Sequence, residues 1–172
     1  MKAWIRDIAF ALVIAFCILQ FIKPTIVKQS SMEPTFQNND YLFVSKQAYR
    51  LFGDPKNGDI IVFHTDLETE NGTEKMLIKR VIGVPGDTVD IENGQVYVNG
   101  EIIYEDYILD PYTASHDAGT HFEVPEGCVF AMGDNRGVSL DSRYVEVGYV
   151  EIDDIMGKVF VRLFPFNKIQ LY

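Results

Sequence analysis

The first stretch of the chain is one in which polar positions almost vanish. From Ile8 to Ile22 it reads IAFALVIAFCILQFI, with Gln20 as the sole polar residue. A helix on a globular surface keeps a polar stripe at helical period, and this run has none. The pattern therefore predicts a membrane-spanning helix, slightly short of the usual ~20 residues. Trp4 and Ile5 extend it if Arg6 and Asp7 pair or snorkel toward the interface. The run leaves through Phe21-Ile22-Lys23-Pro24, bulky and then charged, with no small-x-small cleavage site. An uncleaved anchor over residues 1–23 is expected.

After Pro24 the period changes. Short β-branched and aromatic runs alternate with turn residues, which predicts strands. Thr25–Val27 reads as a strand starting just after a proline. Tyr41–Ser45, Asp59–Phe63 and Met76–Val84 follow, the last stopped by Pro85-Gly86-Asp87. In TVDIENGQVYVNGEIIY, Asn93-Gly94 and Asn99-Gly100 are hairpin turn pairs, so three strands of a meander are expected. Val129–Met132, Gly157–Leu163 and Lys168–Leu171 complete the set. Helical period recurs only weakly, over Lys46–Leu51. The expected fold is mainly β: antiparallel sheets, packed or partly closed, behind one N-terminal transmembrane helix. Residues 24–172 form the β domain, with a hairpin-rich subdomain over residues 86–127. Residues 105–122 make a polar connection, either functional or mobile.

Charge divides the chain in the same place. The formal net charge is -10. Before Thr25, however, the charged residues are Lys2, Arg6, Asp7 and Lys23, a net positive set, so the acidic excess lies in the body. An acidic body argues against nucleic acid as a partner. The positive-inside bias leans toward a cytoplasmic amino terminus and an extracytoplasmic body. Cys17 and Cys128 lie far apart, one in the apolar run, and read as free thiols. His64, His116 and His121 lack metal-ligand spacing and read as solvated loop residues. Asn71-Gly72-Thr73 matches a glycosylation sequon and reads as coincidence.

Three segments could carry chemistry. Ser30-Ser31-Met32-Glu33-Pro34-Thr35 places hydroxyls on a proline-containing bend, where one can project instead of pairing in a ladder. A nucleophilic serine needs a base. No histidine is placed to serve, and the G-x-S-x-G elbow is absent. Lys79 is the alternative, since it sits inside Leu77-Ile78-Lys79-Arg80-Val81-Ile82, a run expected to be buried. Burial lowers a lysine pKa toward neutrality. Lys79 and Arg80 must point to opposite faces of such a strand. The third segment, Gly133 to Arg143 (GDNRGVSLDSR), is dense in charges and hydroxyls after an apolar strand. It fails as a calcium loop, because Arg136, Val138 and Val145 occupy ligand positions. It suits a buried polar network that orients an amine.

Together, SMEPT, then KRVIGVPGD, then GDNRGVSLDSR, behind an N-terminal anchor, resemble the type I signal peptidases, in the compact Gram-positive form. The resemblance covers nearly the whole chain. It implies a serine endopeptidase that removes signal peptides from exported preproteins at the outer face of the cytoplasmic membrane. It also implies that no cofactor and no metal are needed. Ser31, directly before Met32, matches the nucleophile, and Lys79 the general base. Ser139 matches the serine that hydrogen-bonds the lysine, and Asp141 and Arg143 the charged pair that holds the site. Some members carry a hydroxyl two residues before the nucleophile to bind the oxyanion. Gln29 stands there in this chain, which leaves the Ser31 backbone N–H for that task. Met32 and Ile78 flank the dyad and are the expected walls of the pockets for small side chains. Two other readings compete. Self-cleaving repressors share such a dyad but carry DNA-binding or polymerase-linked segments. A silent, tethered β domain would not need both catalytic positions intact.

Overall fold

The computed structural model describes residues 2–51, 53–69 and 72–172. The sequon at Asn71 lies outside the described residues. Helix α1 spans Lys2–Phe21. At 1.5 Å per residue it is about 30 Å long, enough to cross a bilayer core. Its Trp4–Phe21 stretch is not buried in the body. Arg6 and Asp7 pair as expected, at 3.3 Å. The helix is compatible with a membrane anchor.

The body is antiparallel β throughout. Its strands are β1 (Ile22–Ile26), β2 (Tyr41–Ser45), β3 (Ile60–Glu68), β4 (Glu74–Gly83), β5 (Thr88–Glu92), β6 (Gln95–Val98), β7 (Glu101–Ile102), β8 (His121–Glu123), β9 (Cys128–Met132), β10 (Val150–Glu151), β11 (Ile155–Phe164) and β12 (Gln170–Leu171). One sheet runs β1-β2-β11-β3-β4-β9-β10, with β12 against β11, and a smaller sheet runs β7-β6-β5-β8. A short helix α2, Ala48–Leu51, falls where helical period was weak.

Alternation of buried and exposed positions accounts for most strands. Both Asn-Gly pairs turn with left-handed backbone: Asn93 and Gly94 at φ 50° and 81°, Asn99 and Gly100 at 54° and 80°. That geometry matches the twist of the flanking strands. Three expectations need correction. β1 starts before Pro24, not after it. The proline is tolerated because β1 is an edge strand, paired only with β2. His64 and His121 lie in strands rather than loops, and His116 stacks on Tyr144 with ring centroids 4.1 Å apart. β8 and β10, of 3 and 2 residues, are too short to show a period.

Three apolar clusters fill the body. One joins β5 and β6 to β9 through Val89, Val96, Phe122 and Phe130. A second lies under β2 and β11 and takes in Val27, Met32 and Phe36. The third, around Ile61, Phe63, Leu77, Val81 and Ala131, lies along β3, β4 and β9. The second cluster anchors the residues on both sides of Ser31.

At Gly157 the backbone of β2 comes so close that an added Cβ would collide with the Ser45 carbonyl. Gly157→Ala should lower stability by about 1–3 kcal/mol, read as a lower denaturant midpoint. Gly137→Ala, with open space around it, should leave that midpoint unchanged.

Candidate active site

The segment after β1 is shaped by what it buries. Met32 and Phe36 are essentially inaccessible, plugged into the second cluster. The chain between them closes in a turn, with the Glu33 N–H donating to Ser30 O at 3.1 Å and the Phe36 N–H to Met32 O at 2.8 Å. Ser31 is left at the lip of that plug, 9% exposed.

Lys79 reaches the same point from the middle of β4. Its backbone pairs with Ile61, and Leu77 and Val81 beside it belong to the core. The side chain is 1% exposed. Its Nζ lies 2.9 Å from Ser31 Oγ, a hydrogen bond across 48 positions of sequence. Burial pushes the Lys79 pKa down to about 8, aided by the positive charges of Lys75 and Arg143 and opposed by Asp141 and Asp134. At that value a fraction of the amine is neutral near physiological pH, and a neutral amine can accept a proton from a hydroxyl.

Arg80 leaves the opposite face of β4. Its Nε and Nη2 donate to the two Asp134 oxygens at 2.9 and 2.7 Å. Thr35 Oγ1 donates to Asp134 Oδ2 at 2.5 Å, and the Arg80 guanidinium lies 3.9 Å from the Tyr107 ring centroid. The far end of the Ser31 turn is thereby tied to β4.

The segment from Gly133 to Arg143 forms the floor. Asp141 and Arg143 make a two-point ion pair, each bond 2.8 Å, with both side chains fully buried. Asp141 Oδ2 also accepts the Gly133 N–H at 3.0 Å. Burial alone would raise the Asp141 pKa, but Arg143 and the Gly133 N–H outweigh it and hold the carboxyl below its usual range. Gly133 has no room for a side chain, since a Cβ there would collide with the Ser31 carbonyl and Ser139 Oγ. Ser139 is buried in the right place, but it does not hydrogen-bond Lys79 as the resemblance implied. Its Oγ makes no hydrogen bond among the described residues, while the lysine amine bonds Ser31.

The polar connection over residues 105–122 is strapped across this floor. Arg136 pairs with Glu105 and donates to Thr113 Oγ1 at 2.6 Å, and Arg143 Nη1 donates to Ala114 O at 3.1 Å. Asp134, Arg80, Arg136, Thr35 and Arg162 escaped the sequence reading as site supports. Arg162 had a visible signal: a cation inside the apolar stretch Val159–Phe164 of β11 must find partners. It donates to Thr35 O at 2.5 Å and to Lys168 O at 2.8 Å, and pairs with Asp40 at 3.5 Å.

Ser31 opens into a groove of ≈ 540 Å³, and Met32 and Ile78 are among its walls, with Gln29, Val62 and Lys75. A slightly larger cavity of ≈ 580 Å³, near Phe21, Tyr49 and Lys158, touches neither Ser31 nor Lys79. Chemistry, not size, selects the smaller groove.

The family described as "Signal peptidase, peptidase S26" matches residues 1–164. The chain is 39% identical over 168 residues to a probable signal peptidase I-2 of Synechocystis sp., covering 96% of this chain and 74% of the relative. It is 37% identical over 177 residues to signal peptidase I P of Bacillus subtilis subsp. natto, covering 97% and 91%. A solved structure of a signal peptidase I from Enterococcus faecalis V583 is 33% identical and covers 61% of this chain and 96% of that chain, with a TM-score of 0.49. Matched over nearly its whole length, the chain belongs to the signal peptidase family, peptidase S26, serine endopeptidases that remove signal peptides from preproteins.

Proposed function

We propose that Ser31 is the nucleophile and Lys79 the general base of this peptidase. The observation that carries the reading is the 2.9 Å contact between Lys79 Nζ and Ser31 Oγ, made by a lysine that is 1% exposed. Neutral Lys79 takes the Ser31 proton as Oγ attacks the scissile carbonyl carbon. The Ser31 N–H, which donates to no group among the described residues, is free to receive the oxyanion. The C–N bond then breaks, and the leaving amine takes the proton from the Lys79 ammonium. A water, deprotonated by Lys79, attacks the acyl carbon; the bond to Ser31 Oγ breaks, Oγ takes the proton from the Lys79 ammonium, and the signal peptide leaves with a new carboxylate.

Asp141 and Arg143 hold the floor beneath the dyad, and Ser139 packs against Gly133 next to it. Met32 and Ile78, with Val62, give the groove apolar walls suited to small side chains. The Gln29 side chain contributes no hydroxyl to the oxyanion. Residues 1–23 serve as a cytoplasmic tip and single-pass anchor, and residues 24–172 as an extracytoplasmic catalytic domain. Within it, residues 86–127 form a hairpin-rich subdomain built on the smaller sheet. The bilayer is the second partner: α1 leads straight into β1 and the Ser31 groove, so cleavage occurs close to the outer membrane surface, where a signal peptide emerges. The charge of -10 speaks against a nucleic acid role.

Ser31→Ala and Lys79→Ala should each reduce cleavage of a detergent-solubilised preprotein to background while leaving circular dichroism unchanged. A Lys79→Ala enzyme with normal turnover contradicts the dyad. The pH profile gives a second prediction. Only the neutral amine works, and its folded pKa is depressed to about 8. kcat/KM should therefore rise with pH through a midpoint near that value. Lys75→Gln removes a positive charge that lowers this pKa, so the midpoint should move upward.

A further inference from the structure

The geometry points to Asn135 as the residue that aims the oxyanion-binding N–H, a positioning role that rests on the nucleophile reading above. Asn135 touches the chain on both sides of Ser31. Its backbone N–H donates to Ser31 O at 3.0 Å, and its side-chain Nδ2 donates to Ser30 O at 3.2 Å. A carbonyl oxygen can only accept, so the nitrogen end of the amide must face it.

The second contact matters because of peptide planarity. The Ser30–Ser31 bond is not among the cis peptides, so its C=O and N–H point in opposite directions from one rigid plane. Fixing the Ser30 oxygen fixes the Ser31 N–H. The Ser30 oxygen also accepts the Glu33 N–H at 3.1 Å, but that bond belongs to the turn itself and moves with it. Asn135 ties the plane to the floor segment, which is anchored independently by the buried Asp141–Arg143 pair. A hydrogen bond to the carbonyl end of a peptide also polarises its N–H and makes it a better donor. Gln29 supplies no hydroxyl near the nucleophile. The aim of the Ser31 N–H therefore counts for more in this chain.

Asn135 is 8% exposed and carries its main-chain bond to Ser31 whatever its side chain. Asn135→Ala thus removes only the Nδ2 contact. The test compares ground-state and tetrahedral-state binding in the full-length, detergent-solubilised enzyme. The probe is a peptide boronate ending in a small residue. Ser31 Oγ bonds to its boron, the hydroxyl proton passes to Lys79, and one boronate oxygen takes the oxyanion position.

In Asn135→Ala, kcat and boronate affinity should fall together, by roughly tenfold to a hundredfold, less than the roughly hundredfold to thousandfold cost of removing an oxyanion donor outright, because the N–H stays and only its aim is lost. KM, the affinity of the substrate peptide in a Ser31→Ala background, and the pH midpoint should stay unchanged. Unchanged kcat and boronate affinity would overturn the proposal. So would an equal loss of ground-state peptide binding, which would mark a merely structural residue. Should the alanine variant unfold, Asn135→Ser, which is also too short to reach Ser30 O, carries the same expectations. Failure of the nucleophile reading is separate: there the Ser31→Ala enzyme itself cleaves and binds the boronate covalently.

Discussion

Taking an ammonium group out of water costs free energy, and the site is arranged around that cost at Lys79. The side chain lies on a central strand with Leu77 and Val81 on its own face. Its pKa falls from 10.5 to about 8, chiefly through desolvation. The displacement is worth ~3 kcal/mol of stability forgone when the folded chain must hold the proton. The sign is fixed by the direction. Above the unfolded pKa the amine is neutral in both states and there is no penalty. As pH falls toward the folded value the unfolded chain takes up its proton first, and stability is lost. At neutral pH the protein carries nearly the full cost, which on the proposed mechanism accompanies a usable base.

The proposed base can work only if its partner is held still. Ser31 lies on a turn, which is a poor platform unless it is braced. Met32 and Phe36 plug it into the core from within, Asn135 holds it at the near end, and Asp134, Arg80 and Arg162 hold Thr35 at the far end. Each of these buried charges has an opposite charge or carbonyl oxygens to answer it, as burial requires. The strap over residues 105–122 closes the network from outside through Glu105 and Thr113. The turn is braced by apolar packing, hydrogen bonds and ion pairs between distant segments, more than by local secondary structure.

Much of this arrangement could be read from residues alone. The anchor, the two Asn-Gly hairpins and the strands from Tyr41 to Gly83 follow from period and turn chemistry, which are local properties. Lys79 stood out because a lysine inside LIKRVI conflicts with its surroundings. The pairing of Ser31 with that lysine came from the family resemblance, since no local rule joins residues 48 positions apart. What stayed hidden was of the same long-range kind: Asp134 beneath Thr35, Arg136 beneath Glu105, and Arg162 beneath the turn. The strands at His121 and Val150 were missed for another reason, being too short to show alternation. The pattern around Pro24 misled because a proline inside an edge strand leaves the same signature as one just before it.

The central claim is that one amine is neutral in the folded enzyme at a pH where other lysines are charged. Titration of lysine-labelled protein by nuclear magnetic resonance, with Lys79 assigned by its loss in Lys79→Met, observes this directly. A resonance titrating near 8, well below the other lysines, is the result this account requires. A Lys79 signal that titrates with the rest, close to 10.5, would leave Ser31 without a base and contradict it.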